Sequence, residues 1–275
     1  MIRSFGRSVI PAGSCILFFL LMLMSSVAAH PILQTSDRET IRKARASYYS
    51  LRRLGFNGFQ SGIQQNWEAV LAEDIKKDPA AAQAGLKLLN GLHFTMTMDQ
   101  DGQVSVTHRA DLAPTNDQVA AAFDQIYSGM EQALSGFFAT WNRFMLTSPF
   151  PAVESDYQLQ DADGQFLLTY KEGATSISTT MTKDLRITEI KVVSLDFTST
   201  IRPRFINTKK GLVLSGYAGV YVPSKGPGKV NLDAEVEYQE VNGLQIPRKL
   251  RMASSLDGAP SLMELSFLQS EVKVR

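Results

Sequence analysis

The chain has 275 residues, 28 Lys+Arg against 27 Asp+Glu, a formal net charge of +1 and a single cysteine. Near-neutral charge leaves no electrostatic footprint for nucleic acid. Hydrophobic residues make up 44% and aromatic residues 9%, enough for a packed core and too much for a disordered chain.

Arg3 and Arg7 precede a wholly apolar run at residues 16–24, and Ser25-Ser26-Val27-Ala28-Ala29 follows it. A basic start, a short apolar stretch and small residues before a cut after Ala29 are the order of a secretory leader. The run is shorter than the roughly 20 residues that span a bilayer. Cys15 precedes the run, whereas a lipid-bearing cysteine follows one, so no lipoprotein is expected. Cleavage leaves residues 30–275 without a thiol, which excludes disulfides and cysteine catalysis. It also removes two arginines, so the mature chain carries 26 basic and 27 acidic side chains. The expectation is an exported protein, periplasmic or extracellular. Residues 1–29 are its leader, residues 30–275 form a single domain, and no membrane segment remains.

Ser36 and Glu39 have capping-box spacing, and Ile41, Ala44, Tyr48 and Leu51 recur with helical period up to Gly55. Residues 58–65 read as a first strand. Residues 67–77 and 80–89 read as two short helices split by Pro79. Leu92, Phe94, Met96 and Met98 alternate with polar residues, as do Val104 and Val106. Between them, Gln100-Asp101-Gly102 suits a three-residue hairpin loop with glycine in the left-handed region. That register sets His108 opposite Phe94 and His93 on the other face, so the two histidines do not converge on a metal. No carboxylate stands at ligand spacing beside either.

Thr115 and Gln118 open the longest helix. Val119, Phe123, Ile126, Met130, Ala133, Phe137, Trp141 and Phe144 form one stripe of it in steps of three and four. Gly129 and Gly136 weaken or bend it, and Pro149 and Pro151 stop it. Strands follow at residues 157–159, 166–170, 176–182, 185–190, 192–201, 211–222, 230–238, 244–252 and 262–274, with turn residues between them. The absence of strand–helix alternation argues against a parallel α/β sheet. The fold class is therefore α+β.

Chemistry-bearing patterns are few. Asp99-Gln100-Asp101-Gly102 and Asp161-Ala162-Asp163-Gly164 resemble the start of a calcium loop, yet neither has the distal glutamate, and both read as hairpin turns. Asp233, Glu235 and Glu237 share a strand face. A turn at Val241-Asn242-Gly243 sets Glu235 opposite Lys249 and Asp233 opposite Arg251, a solvated charge ladder rather than an acid–base pair. The same register sets Tyr238, Ala234 and Leu232 opposite Ile246, Leu250 and Met252. Gly226-Pro227-Gly228-Lys229 lacks the spacing of a phosphate loop. No serine stands in a nucleophile elbow. No catalytic residue, metal site or cofactor is expected, and the chain is not expected to be an enzyme.

Two stretches carry a family resemblance. One is Tyr48-Tyr49-Ser50-Leu51 leading to Phe59-Gln60-Ser61-Gly62. The other is the hairpin Glu237-Tyr238-Gln239-Glu240-Val241-Asn242-Gly243-Leu244-Gln245-Ile246-Pro247-Arg248-Lys249-Leu250. With the element order, they resemble the LolA-type lipoprotein carriers of exported bacterial proteins. The helical block at residues 66–89 is larger than that family leads one to expect, and no carrier-specific residue can be assigned. The resemblance implies a curved antiparallel half-barrel with helices on its concave face, and an apolar cavity that takes an acyl chain or other lipid group. The long helix would present Phe123, Ile126, Met130, Phe137 and Trp141 to that space. Leu159, Phe166, Leu168, Leu195, Phe197 and Leu214 are the strand residues expected to meet them. A cavity and a filled core remain equally open at this stage. The leading expectation is a lipid-binding, non-enzymatic carrier. An envelope interaction module without a cavity is the alternative, and a hydrolase with an unrecognised site is a third class.

Overall fold

Among the described residues, alternation and turn chemistry produce a single antiparallel sheet of twelve strands. The computed structural model describes residues 35–275; the expected leader, the cut after Ala29 and His30 lie outside the described residues. The N-terminal part comprises α1 (Thr35–Ser47), a 3-10 turn (Arg52–Leu54), β1 (Phe56–Gln65), α2 (Trp67–Val70), α3 (Ala72–Lys77), α4 (Pro79–Leu89), β2 (Leu92–Asp99) and β3 (Val104–Ala110). The long helix α5 (Asp117–Met145) leads to β4 (Tyr157–Ala162), β5 (Gln165–Glu172), β6 (Thr175–Thr182), β7 (Ile187–Val193) and β8 (Phe197–Thr208). The last four strands are β9 (Gly211–Pro223), β10 (Val230–Val241), β11 (Leu244–Leu256) and β12 (Ala259–Val274). The architecture is α+β, with the strands in the order β3-β2-β1-β12-β11-β10-β9-β8-β7-β6-β5-β4 in a large curved sheet that does not close, since β3 and β4 are its edges. Among the described residues no helix is long and apolar enough to cross a membrane.

The 29-residue helix α5 lies across one face of this sheet. Near its start, Phe123 and Phe94 pack edge-on against Tyr127, and His108 stacks on the same ring at 3.6 Å. In its middle Phe138 meets Phe59 of β1 and Phe267 of β12. At its end Phe144 meets Phe205 of β8. Gly129 and Gly136 leave the helix unbroken. Its cap is Asn116, whose side chain accepts from the Val119 amide at 2.9 Å, rather than the expected Thr115. Asparagine satisfies an orphan N–H at least as well as threonine.

The start of the domain departs from its helical period. α1 covers Thr35–Ser47, so Ser36 lies inside the helix, and Glu39 pairs with Arg42 and Lys43. α1 ends at Ser47, because Tyr48 bridges to Leu212 of β9 and the Tyr49 amide donates to the Leu212 carbonyl. The Tyr48 hydroxyl donates to the Leu185 carbonyl and accepts from the Ile187 amide at 2.7 Å, and its burial pushes its pKa up. The Tyr49 hydroxyl accepts from the Gln245 amide at 2.9 Å. Tertiary partners override helical continuation over Tyr48 to Leu51.

The hairpin β2–β3 has the expected register, with Phe94 opposite His108 and Gly102 at φ 84°. One expectation fails beside it: the chain turns after β3 and brings Asp111 Oδ2 to 2.9 Å from His93 Nε2. His93 and Arg109 hold the Asp111 carboxyl below its usual range. Among the described residues no group of three or more potential metal ligands occurs.

The hairpin β10–β11 corrects the predicted pairs. Asn242 (φ 51°) and Gly243 (φ 76°) form a two-residue turn rather than a three-residue one. A register shift then occurs between Glu237 and Tyr238. Glu235 therefore faces Arg251, Glu237 faces Lys249 and Asp233 faces Ala253, while Tyr238, Ala234 and Leu232 face Pro247, Met252 and Ser254. The faces nonetheless come out as expected, with Ala234 and Val236 buried and Glu235 and Glu237 exposed. Glu235 forms no ion pair among the described residues, so Glu235→Gln should shift stability by no more than about 0.5 kcal/mol. A urea-unfolding midpoint displaced well beyond that would show that Glu235 has a hidden partner.

Candidate functional site

An apolar groove of about 510 Å³ opens where the middle of α5 passes over β10, β11 and β12. Its helical wall is Ile126, Gly129, Met130, Gln132, Ala133, Gly136 and Phe137. Its sheet wall includes Leu232, Met252 and Met263, the last two paired across β11 and β12. The rim is made by Trp67 and Val70 of α2.

The local sequence explains why the groove is there. Gly129, Ala133 and Gly136 recur at helical spacing among the bulkier Ile126, Met130 and Phe137, so α5 leaves side-chain volume out of that wall at three positions. A Cβ added at Gly129 or Gly136 would meet nothing within 4 Å. Methionines on both walls supply a soft, adaptable surface. α2 is held at the mouth by Asn66. Its Oδ1 accepts from the Ala69 amide at 3.2 Å, its Nδ2 donates to Glu264 at 3.0 Å, and its amide donates to the Glu264 carbonyl at 2.8 Å.

One polar group stands out in this wall. Gln65, the last residue of β1, is 5% exposed and lines the groove. Its Nε2 donates to the Asn66 carbonyl at 3.3 Å, while its Oε1 has no hydrogen-bond partner. A buried acceptor left unpaired costs about 1–3 kcal/mol, so this end of β1 carries a local penalty beside the groove.

The residues expected at the site fall into three groups. Ile126, Met130 and Phe137 come together in the groove. Phe123, Trp141, Leu168 and Leu214 are buried in the filled core. Trp141 Nε1 donates to the Tyr238 hydroxyl at 3.0 Å, and that hydroxyl donates to the Leu214 carbonyl at 2.5 Å. Enclosure raises the Tyr238 pKa. Tyr217 stacks on Phe137, and burial pushes its pKa up to about 12. Leu159, Phe166, Leu195 and Phe197 do not line the groove. Leu159 and Phe166 lie on β4 and β5 near one sheet edge, with Lys183 over the Phe166 ring. Phe197 stacks on Tyr221. Leu195, expected on the face that meets the helix, is 82% exposed. It belongs to a turn because the Ser194 amide donates to the Phe197 carbonyl and the Ser194 hydroxyl accepts from Asp196 and Phe197. The expected strand over residues 192–201 is broken there.

No family model, curated protein or solved structure matches the chain. The site must therefore be understood from its geometry. Gln65, Trp67, Met252 and Met263 were missed by sequence reasoning. The small-residue spacing of Gly129, Ala133 and Gly136 is the signal that could have found the opening.

Proposed function

We propose that the protein is an exported, non-enzymatic binding protein for an acyl chain or similar apolar ligand held in the α5 groove. In this reading the curved sheet is a half-barrel, α5 rests on its concave face, and the groove is the gap between them. The observation that carries the proposal is the apolar groove of about 510 Å³ between Gly129, Gly136 and the β11–β12 methionines. Small-ligand sites typically fall in the range of about 300–1,000 Å³, apolar with a few polar groups. Gln65, Gln132, Ser254 and Ser261 supply such groups in the lining. The leader-like order at residues 1–29 and the carrier-like hairpin support the same reading.

Filling the groove from the helix side tests it. Gly129→Leu and Gly136→Leu place side chains in open space, and leucine is a better helix former than glycine by up to about 1 kcal/mol. Both variants should keep or raise the melting temperature, and both should lose binding of a fluorescent long-chain fatty acid. Wild-type protein that fails to bind the probe, or filled variants that bind it unchanged, would overturn the proposal and favour an envelope interaction module.

A further inference from the structure

A second concave site lies beside α1, away from the groove. It has a volume of about 580 Å³, and four arginines line it: Arg42, Arg45, Arg52 and Arg53. No Asp or Glu is among its lining residues. Glu39 pairs with Arg42, and Asp101 lies 3.2 Å from Arg52. The other two guanidiniums are held by neutral carbonyls. Arg45 Nη1 donates to Phe150 and Pro151 at 2.8 and 2.6 Å, and Arg53 Nη2 donates to Tyr48. Carbonyls orient a guanidinium but do not cancel its charge. Residues 1–34 contain no Asp or Glu, so the undescribed segment brings no carboxylate side chain. Like charges lining one concavity, two of them without a carboxylate partner, attract an anion.

We infer that this pocket binds an oxyanion of the phosphate class. The planar fork of arginine matches two oxygens of one phosphate at once. Ser148 extends the match: its hydroxyl accepts from the Phe150 amide at 3.3 Å, which leaves its own proton to donate into the site. A phosphate offers more charge and more acceptor oxygens than a lone carboxylate, which suits several guanidiniums and a hydroxyl. The same chemistry is presented by free phosphate and by the headgroup of an anionic phospholipid. The inference is independent of the groove.

The purified full chain should be titrated at low salt with inorganic phosphate, and separately with vesicles of phosphatidylglycerol or of phosphatidylcholine alone. Binding of phosphate identifies a free ion. Binding of phosphatidylglycerol vesicles alone identifies a headgroup. In either case Arg53→Gln should weaken binding at least tenfold. Ser148→Asp, which removes no arginine contact but adds an internal carboxylate, should abolish it. Gly136→Leu in the groove, and Arg202→Gln, an arginine of β8 paired with Glu189, should leave it unchanged. Melting curves identify any variant that fails to fold; the Ser148 and Arg53 changes can each decide the matter alone. No binding of either probe by the wild type, or equal binding by folded Arg53→Gln or Ser148→Asp, would overturn the assignment.

Discussion

Trp141→Ala is expected to lower the unfolding free energy by about 3–5 kcal/mol, the range for removing a large aromatic side chain from a filled core. Trp141 is 0% exposed and its ring packs edge-on against Phe138 at 5.4 Å. The loss has two parts. Removal of the indole leaves a void that its neighbours cannot close. It also takes away the donor to the Tyr238 hydroxyl, although Tyr238 keeps its bond to the Leu214 carbonyl. For a chain of this size the melting temperature should fall by roughly 6–20 °C. Thermal unfolding followed by near-ultraviolet circular dichroism measures it. A change under about 1 kcal/mol would mean that Trp141 borders empty space, since a wall residue already lacks neighbours on one side. The result separates the filled end of α5 from its open middle.

Gly216→Ala is expected to cost about 3 kcal/mol or more, at the upper end of overpacking effects. A Cβ at Gly216 would lie 2.3 Å from the Ala234 carbonyl oxygen, a backbone atom of the neighbouring strand β10. It would also lie 2.9 Å from Arg204 Nη2. Arg204 sits opposite Gly216 on β8. Its guanidinium crosses β9 at the glycine to bind both Asp233 oxygens at 2.9 Å and the Ala234 carbonyl at 2.9 Å. Asp233 in turn holds the Arg204 pKa above its usual value. Any added carbon must displace that bridge or spread β9 from β10. The identical change at Gly136 meets nothing and should stabilise α5 by up to about 1 kcal/mol, through helix propensity alone. Urea-unfolding midpoints of the two variants should therefore move in opposite directions. Equal midpoints would refute the account of both positions.

The sequence by itself determined α5, the β2–β3 hairpin and the two faces of β10. The stripe from Val119 to Phe144 specified α5, and period-two alternation specified the β2–β3 hairpin down to the pairing of Phe94 with His108. It also placed Glu235 and Glu237 outward and Ala234 inward. These features are local: side-chain direction follows from helix or strand period alone. Tertiary structure decided what periodicity cannot reach. The pairs of β10 and β11 depend on a two-residue turn and a register shift at Glu237, and each inserted or omitted residue moves every partner. Tyr48 left its helix because Leu212, Leu185 and Ile187 offered hydrogen bonds across the sheet. Leu195 left its strand because Ser194 closed a turn on Phe197. The groove was the least legible feature. A stripe of apolar residues shows which face is buried, but not whether the opposite wall comes close enough to fill the space. That distance was settled where Gly129 and Gly136 of α5 met Met252 and Met263, side chains more than a hundred residues away in the chain.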